Sequence, residues 1–292
     1  MRVALFGKVI SAESAPYIKQ ILGELEKYHV TFVVYEPLLR MMREFLDLPA
    51  DTSTFNDNNG LKSSVDFLFS IGGDGTLLDT ITFVQDSGIP VLGINLGRMG
   101  FLSSVSKDQI IAAIHQLMNN QFKLDQRALL RLETAENLFG SLNYAMNEFT
   151  VYKKYPSSIL KIQAFVNDAF LNSYWADGLI IATPTGSTAY SLSSGGPIIL
   201  PQSRNFVITP IATHNLTVRP VVIPDNSEIK IKVVGRVKEF FISLDSRSVT
   251  IDSTMELLIK KEDFMINLIQ LDDESYFKTI REKLMWGLDM RN

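Results

Sequence analysis

The segment Ile71-Gly72-Gly73-Asp74-Gly75-Thr76 constrains this chain more than any other. It follows the wholly apolar run Phe67-Leu68-Phe69 and leads into Leu77-Leu78. Glycines around a carboxylate make a loop in which backbone N–H groups approach a ligand closely, because no Cβ stands in the way. A strand that feeds such a turn and then a helix is a phosphate site, since the helix N-terminus offers unpaired N–H groups and a positive dipole end. Asp74 sits in mid-loop, where an attacking hydroxyl can reach it, and phosphate beside an acid points to phosphoryl transfer. The loop is not a Walker A motif, because no Gly-Lys-Ser/Thr follows, and the chain has no Gly-x-Gly-x-x-Gly. The same residues also read as a tight strand-to-helix turn with Asp74 capping the helix.

The 292 residues are enough for two domains, and 46% hydrophobic with 21% charged residues is ordinary for a globular protein with a sizeable core. A net charge of -4 gives no bulk attraction for nucleic acid or an anionic membrane, so an anionic ligand needs a local site. The chain has no cysteine, which excludes disulfides and thiolate metal sites and fits a reducing compartment. The apolar start Val3-Ala4-Leu5-Phe6 is too short for a signal segment, and no window reaches the roughly 18 apolar residues of a membrane span. The expectation is a soluble cytoplasmic protein that contacts neither nucleic acid nor membrane.

The first 120 or so residues alternate between two hydrophobic periods. Val3–Phe6, Val30–Tyr35, Val65–Ile71 and Pro90–Asn95 read as strands. A helix begins near Pro16, after Ser14, and carries Ile18, Ile21, Leu22 and Leu25 at helical spacing. Thr76–Asp86 and Asp108–Met118 read as further helices, and the polar Asp51–Asn59 as a loop. Such alternation predicts a parallel sheet covered by helices. From about Asp125 to Leu271 short β-branched and aromatic runs dominate: Ser158–Val166, Leu179–Ala182, Asn205–Ile211, Val221–Ile223, Glu228–Val234, Glu239–Leu244 and Phe264–Gln270. Asn167-Asp168 reads as a hairpin turn. This half predicts a sandwich-like β domain. Glu274–Asn292 returns to helical character through Tyr276, Phe277, Ile280 and Leu284. The expected division is an α/β domain over 1–123, a β-rich domain over 124–271, and a tail over 272–292 whose helix packs back on the α/β domain.

Three further segments carry candidate chemistry. Gly93 through Leu102, with Asn95, Gly97, Arg98 and Gly100, again follows a strand; two such turns at neighbouring strand ends make a crevice, where open α/β sheets bind ligands. Arg98 can meet phosphate there or remain a solvated side chain. Asn147-Glu148 places an amide beside an acid, which suits a ribose diol that needs donors and acceptors, but also suits a surface strand end. Asp177 through Tyr190, followed by Ser191 to Pro197, ends a strand in a loop crowded with hydroxyls. Thr185, Ser187 and Thr188 can bond a base edge and Tyr190 can stack on it; the alternative is a polar turn before a helix. His29 and His115 read as surface residues, and no grouping has the spacing of a metal cage. A Mg²⁺ or other divalent cation is expected to arrive with nucleotide phosphates.

Taken in order, these segments resemble the NAD kinase family: Gly72-Gly73-Asp74-Gly75-Thr76, Asn95 through Leu102, Arg127 before Leu129-Leu130, Asn147-Glu148, Asp177–Tyr190 with Gly195-Gly196-Pro197, His214 through Pro220, and Arg281 through Gly287. The resemblance covers nearly the whole chain, whereas Gly-Gly-Asp-Gly alone is shared with lipid kinases and, in related form, phosphofructokinases. It implies transfer of the γ-phosphoryl group of ATP to the 2′-hydroxyl of the adenosine ribose of NAD, giving NADP. By the same resemblance Asp74 is the general base, and Gly72, Gly73, Gly75, Thr76 and Phe101 belong to the binding loops. Asn147 and Glu148 hold the ribose region, and Asp177, Thr185, Thr188, Ala189 and Tyr190 hold the dinucleotide's two ends. A homodimer or homotetramer is implied too. One departure is visible: Asp245-Ser246-Arg247 stands where the family often has Asp-Gly. The competing readings are a lipid or sugar kinase, and a non-catalytic binder of NAD(H) or NADP(H).

Overall fold

A computed structural model describes residues 1–61, 64–97, 100–103, 105–235, 237–271 and 275–287. The chain divides into two compact units: Met1–Gln126 with Ile266–Asn292, and Arg127–Met265.

The first unit runs β1 (Arg2–Phe6), α1 (Ala15–Lys27), β2 (Thr31–Tyr35), α2 (Glu36–Met42), β3 (Thr54–Phe55), β4 (Phe67–Ile71), α3 (Asp74–Val84), β5 (Val91–Asn95), β6 (Val105–Ser106) and α4 (Ile110–Met118). Its strands pair in parallel in the order β3-β2-β1-β4-β5, and β6 adds to β5. Residues 3–6, 67–71 and 91–95 are buried throughout, as expected of parallel strands covered on both faces. Ile18, Ile21 and Leu25 of α1 and Ile110, Ile114 and Leu117 of α4 share one apolar cluster with Leu5, Phe69 and Leu92 of the sheet. From β1 the chain moves to β2 on one side; from β4 it moves to β5 on the other. That reversal puts the topological switch point between β1 and β4, whose carboxyl ends lead into Gly7 and Gly72.

The second unit opens within β7 (Phe122–Glu133). It continues through β8 (Tyr144–Ala145), β9 (Glu148–Lys153), β10 (Leu160–Val166), β11 (Ala169–Ala176), β12 (Gly178–Ala182), α5 (Tyr190–Ser193), β13 (Asn205–Ile211), β14 (Val221–Pro224), β15 (Ile229–Val234), β16 (Glu239–Leu244), β17 (Arg247–Asp252) and β18 (Leu257–Leu271). One antiparallel layer runs β11-β10-β15-β18 and the other β14-β13-β12-β9-β16-β17. Ile162, Tyr174, Ile231 and Ile259 of the first layer meet Phe149, Ile181, Phe206 and Ile242 of the second in a common core. This is the sandwich the alternating strands call for. Asn167 and Asp168 close the β10–β11 hairpin at φ 50 and 63, left-handed values that Asn and Asp tolerate. β18 pairs with β15 at Leu257–Ile259 and with β5 at Leu268, so it carries the chain back into the first unit, where α6 (Tyr276–Leu284) buries Ile280.

Helix α3 begins two residues earlier than Thr76, because Gly75 continues the helix rather than preceding it. The sequence reading gave no element to α2, β7 or β17, nor to the short strands β3, β6 and β8. Helix α2 follows β2 with no intervening loop, and Glu36 and Pro37 in its first turn are the start signals that the sequence reading passed over. Strand β7 sets Phe122, Leu124, Ala128, Leu130 and Leu132 against Lys123, Asp125, Arg127, Arg131 and Glu133, a strand period that the sequence reading passed over, and it pairs with β8 and β18. Strand β9 was read as a surface strand end, yet it lies between β12 and β16.

Candidate active site

In the first unit the Asp74 carboxylate does not cap α3. The helix N-cap is Gly73, with no side-chain cap bond, and Asp74 is the first helical residue. Its carboxylate turns to the loop after β5. Oδ2 accepts the Phe101 N–H at 2.6 Å, and Oδ1 accepts the N–H groups of Leu102 at 3.1 Å and Ser103 at 3.0 Å. Ser103 Oγ also donates to the Gly72 carbonyl at 3.3 Å, tying the two loops together. Gly100 makes this approach possible: a Cβ there would stand 1.8 Å from Asp74 Oδ1. The expected crevice between neighbouring strand ends is therefore two loops joined through one acid. Among the described residues Oδ2 has one donor, and a carboxylate oxygen has a second lone pair for a hydroxyl. Gly75 is exposed and Gly72, Gly73 and Thr76 are partly so, at the N-terminal end of an 11-residue helix. Lys8, just past the end of β1, pairs with Asp79 of α3 at 2.6 Å. Arg98, the expected phosphate contact, lies outside the described residues.

In the second unit Asn147 and Glu148 stand where β9 begins. Asn147 Oδ1 and Glu148 Oε2 are buried and have no hydrogen-bond partner among the described residues, as is also true of Ser70 Oγ and Gln116 Oε1. Buried polar atoms are nearly always paired, and here two orphaned oxygens fall on consecutive residues, where a ligand could supply the partners. Asp245 holds the backbone beneath them. Its Oδ2 accepts the Met146 N–H at 2.9 Å, and Oδ1 accepts those of Asn147 at 2.8 Å and Glu148 at 3.1 Å. The Asp245 N–H donates to the Glu148 carbonyl at 3.0 Å. Arg247 anchors the same turn by donating to the carbonyls of Leu142 and Tyr144. Burial, and then the charge of Asp245, push the Glu148 carboxyl up to about 8. Burial also raises Asp245, against the pull of three N–H donors and of Arg247, whereas the described residues offer Glu148 Oε2 no donor.

The sequence reading set Asp245 aside with the Asp245-Ser246-Arg247 departure, yet it accepts the N–H groups of Asn147 and Glu148, the expected ribose ligands. The departure costs the turn nothing: Asp245 takes the left-handed conformation at φ 51, and Ser246 does not need one.

The hydroxyl-rich loop after β12 folds into a short 3-10 turn, Thr185–Thr188, followed by α5. Thr183 donates to the Met146 carbonyl, and its N–H donates to the Asn147 carbonyl at 2.9 Å. Gly186 packs on Asn147 so closely that a Cβ would lie 2.1 Å from the Asn147 carbonyl oxygen. The turn thus lies directly against the orphaned pair. Thr185 Oγ1 accepts from the buried Arg127 at 3.2 Å, and Thr188 Oγ1 donates to the Thr185 carbonyl at 3.2 Å. Ser187 is spent on the fold, donating to Pro184 at 2.7 Å and accepting from Ile199 at 3.0 Å. Ala189 is partly exposed, and the Tyr190 ring is exposed at the start of α5. Asp177 pairs with Lys153 at 2.8 Å.

Among the described residues no group of three or more His, Asp or Glu side chains is placed to hold a metal ion, and no helix is long and apolar enough to cross a membrane. His29, His115 and His214 are exposed.

Comparison with known proteins identifies the relatives of this chain. Residues 3–122 match the ATP-NAD kinase N-terminal domain, and residues 146–270 match the ATP-NAD kinase C-terminal domain. An NAD kinase of Cytophaga hutchinsonii is 44% identical over 293 residues, covering 100% of each chain. Another, of Flavobacterium johnsoniae, is 45% identical over 294 residues, again covering 100% of each. In fold, the chain is similar to yeast NADH kinase complexed with NADH, at TM-score 0.89 and 23% identity, over 100% of this chain and 89% of that one. It is also similar to an NAD kinase from Archaeoglobus fulgidus in complex with ATP, at TM-score 0.73 and 23% identity, over 98% and 99%. With both domain matches and full-length relatives well above the level that marks common descent, the chain belongs to the NAD kinase family of phosphotransferases.

Proposed function

We propose that this protein transfers the γ-phosphoryl group of ATP to the 2′-hydroxyl of the adenosine ribose of NAD, giving NADP, with Asp74 as the general base. The observation that carries the reading is the buried, unpartnered pair Asn147 Oδ1 and Glu148 Oε2, in a chain whose relatives are NAD kinases. A protonated Glu148 donates and the Asn147 carbonyl accepts, which is what a ribose diol requires. Thr185, Thr188, Ala189 and Tyr190, on the turn against Asn147, and Asp177 hold the rest of the dinucleotide.

The glycine loop, with Gly72, Gly73, Gly75, Thr76 and the start of α3, takes phosphate. Two polyphosphates repel as they meet, and helix N–H groups offset that charge. A divalent cation such as Mg²⁺ is part of the nucleotide substrate and neutralises charge on its phosphates. The loop bearing Phe101 fixes the orientation of Asp74, while the open lone pair on Oδ2 takes the proton as the 2′-oxygen attacks. A cytoplasmic location and a homodimeric or homotetrameric state belong to the same reading; fractionation and light scattering test them.

Incubation with ATP, Mg²⁺ and NAD, read through an NADP-specific dehydrogenase, tests the function. ATP-dependent formation of NADP is expected. NAD binding without NADP formation would favour a non-catalytic binder, and phosphorylation of a lipid or sugar instead of NAD would overturn the reading.

A further inference from the structure

Asp245 has the geometry of a residue that acts on ligand through others. It lies in the two-residue turn between β16 and β17, about a hundred positions from the segment it grips. Two oxygens accept three consecutive N–H groups, those of Met146, Asn147 and Glu148, so the peptide planes on either side of Asn147 are fixed from below. The side chains of Asn147 and Glu148 leave those planes with one oxygen each buried and unsatisfied. A strand end alone does not demand such an acid. The same N–H groups could pair with carbonyls, as they do elsewhere in β9.

We propose that Asp245 is a positioning residue for NAD: its carboxylate, bonded to three N–H groups and facing Arg247, sets the orientation of Asn147 and Glu148 and keeps the proton of the pair on Glu148, which then donates a hydrogen bond to a ribose oxygen. This rests on the NAD reading of the Asn147–Glu148 site. The proton's place follows from the partners. Asp245 is surrounded by donors, whereas the free oxygen of Glu148 meets none. The charged and titratable groups around Glu148 are Asp245 with Arg247 behind it, and Tyr190 at the start of α5. Tyr152 and Asp177 act on Tyr190 as Glu148 does, and Asp177 is paired with Lys153 at 2.8 Å.

A donor that must carry its proton makes binding pH-dependent. In the wild type, NAD affinity measured by titration calorimetry should fall as pH rises through about 8, the value to which the Glu148 carboxyl is pushed. Glu148→Gln keeps a donor that cannot titrate, so that fall should disappear, whatever its affinity. Asp245→Asn removes the neighbouring negative charge. KM for NAD should rise at least about 10-fold, with the effect falling on KM rather than kcat. The pH at which affinity falls should also move down, because Glu148 then ionises more easily.

A merely structural role would lower thermal stability and leave that midpoint in place. An Asp245→Asn protein with KM for NAD within about 2-fold of wild type and an unmoved midpoint would overturn the proposal. So would a Glu148→Gln protein that keeps the wild-type pH profile. If Asp245→Asn does not fold, the amide resonances of Met146, Asn147 and Glu148 in the wild type provide the test. They should shift together with one midpoint near 8, and independent or pH-insensitive shifts would overturn the proposal. Loss of the functional reading is distinguishable. A wild type that neither binds NAD nor makes NADP sinks both, whereas one that does both while Asp245→Asn is silent sinks only the role of Asp245.

Discussion

Glu148 is held against its own preference. A carboxyl pushed from the usual carboxylate range up to about 8 stays protonated in the folded protein while the unfolded chain ionises. Between those two values the unfolded state binds fewer protons, so this residue lowers stability progressively as pH rises from about 4.5 to about 8, and by a constant amount above. Without NAD, Glu148→Gln should therefore melt higher than wild type at pH 8, by a difference on the order of 1 kcal/mol or more, and the gap should close toward pH 4. Thermal melts across that range check it; a variant less stable at every pH would show that the carboxyl is better satisfied than described. Asn147 and Glu148 could be named from sequence as a candidate pair because they are adjacent side chains of complementary type, and the family resemblance assigned them the ribose. Asp245 could not, because what it does is accept N–H groups from a strand far away in the chain, and nothing in its own neighbourhood encodes that.

Elements that are apolar or β-branched throughout were readable, and those whose signal is diluted by polar residues or lies elsewhere in the chain were not. β4, β5 and β13 are runs that announce themselves. β7 alternates Phe122, Leu124, Ala128, Leu130 and Leu132 with charged residues, a strand period masked by its charge. For the loop after β5 the signal lies elsewhere. Its glycines were visible, but the reason for Gly100 is an acid on another element. Gly100→Ala places a methyl 1.8 Å from Asp74 Oδ1, so either the loop or the carboxylate must move. Turnover should fall about 10²-fold, the scale of a reacting group displaced by about 1 Å, while the circular dichroism spectrum stays native. Turnover close to wild type would mean that the bond between loop and acid has no bearing on the reaction.

At the scale of the molecule, the α/β unit and the β-sandwich unit follow from the change in hydrophobic period along the chain, and the return of the C-terminal helix to the first unit runs through a single long strand. The chemistry is divided in the same way: an acid on a glycine loop in one unit, and a complementary donor–acceptor pair in the other. The measurement that tests this account most directly is single-turnover NADP formation by Asp74→Asn, with NAD affinity measured on the same protein. The amide can still accept from Leu102 and Ser103, and the proposed NAD ligands are on the other unit, so NAD affinity should stay within a few-fold of wild type. The phosphoryl-transfer rate should drop at least about 10²-fold, the usual contribution of a general base. A rate within a few-fold of wild type would contradict the assignment of Asp74 as the group that takes the ribose proton.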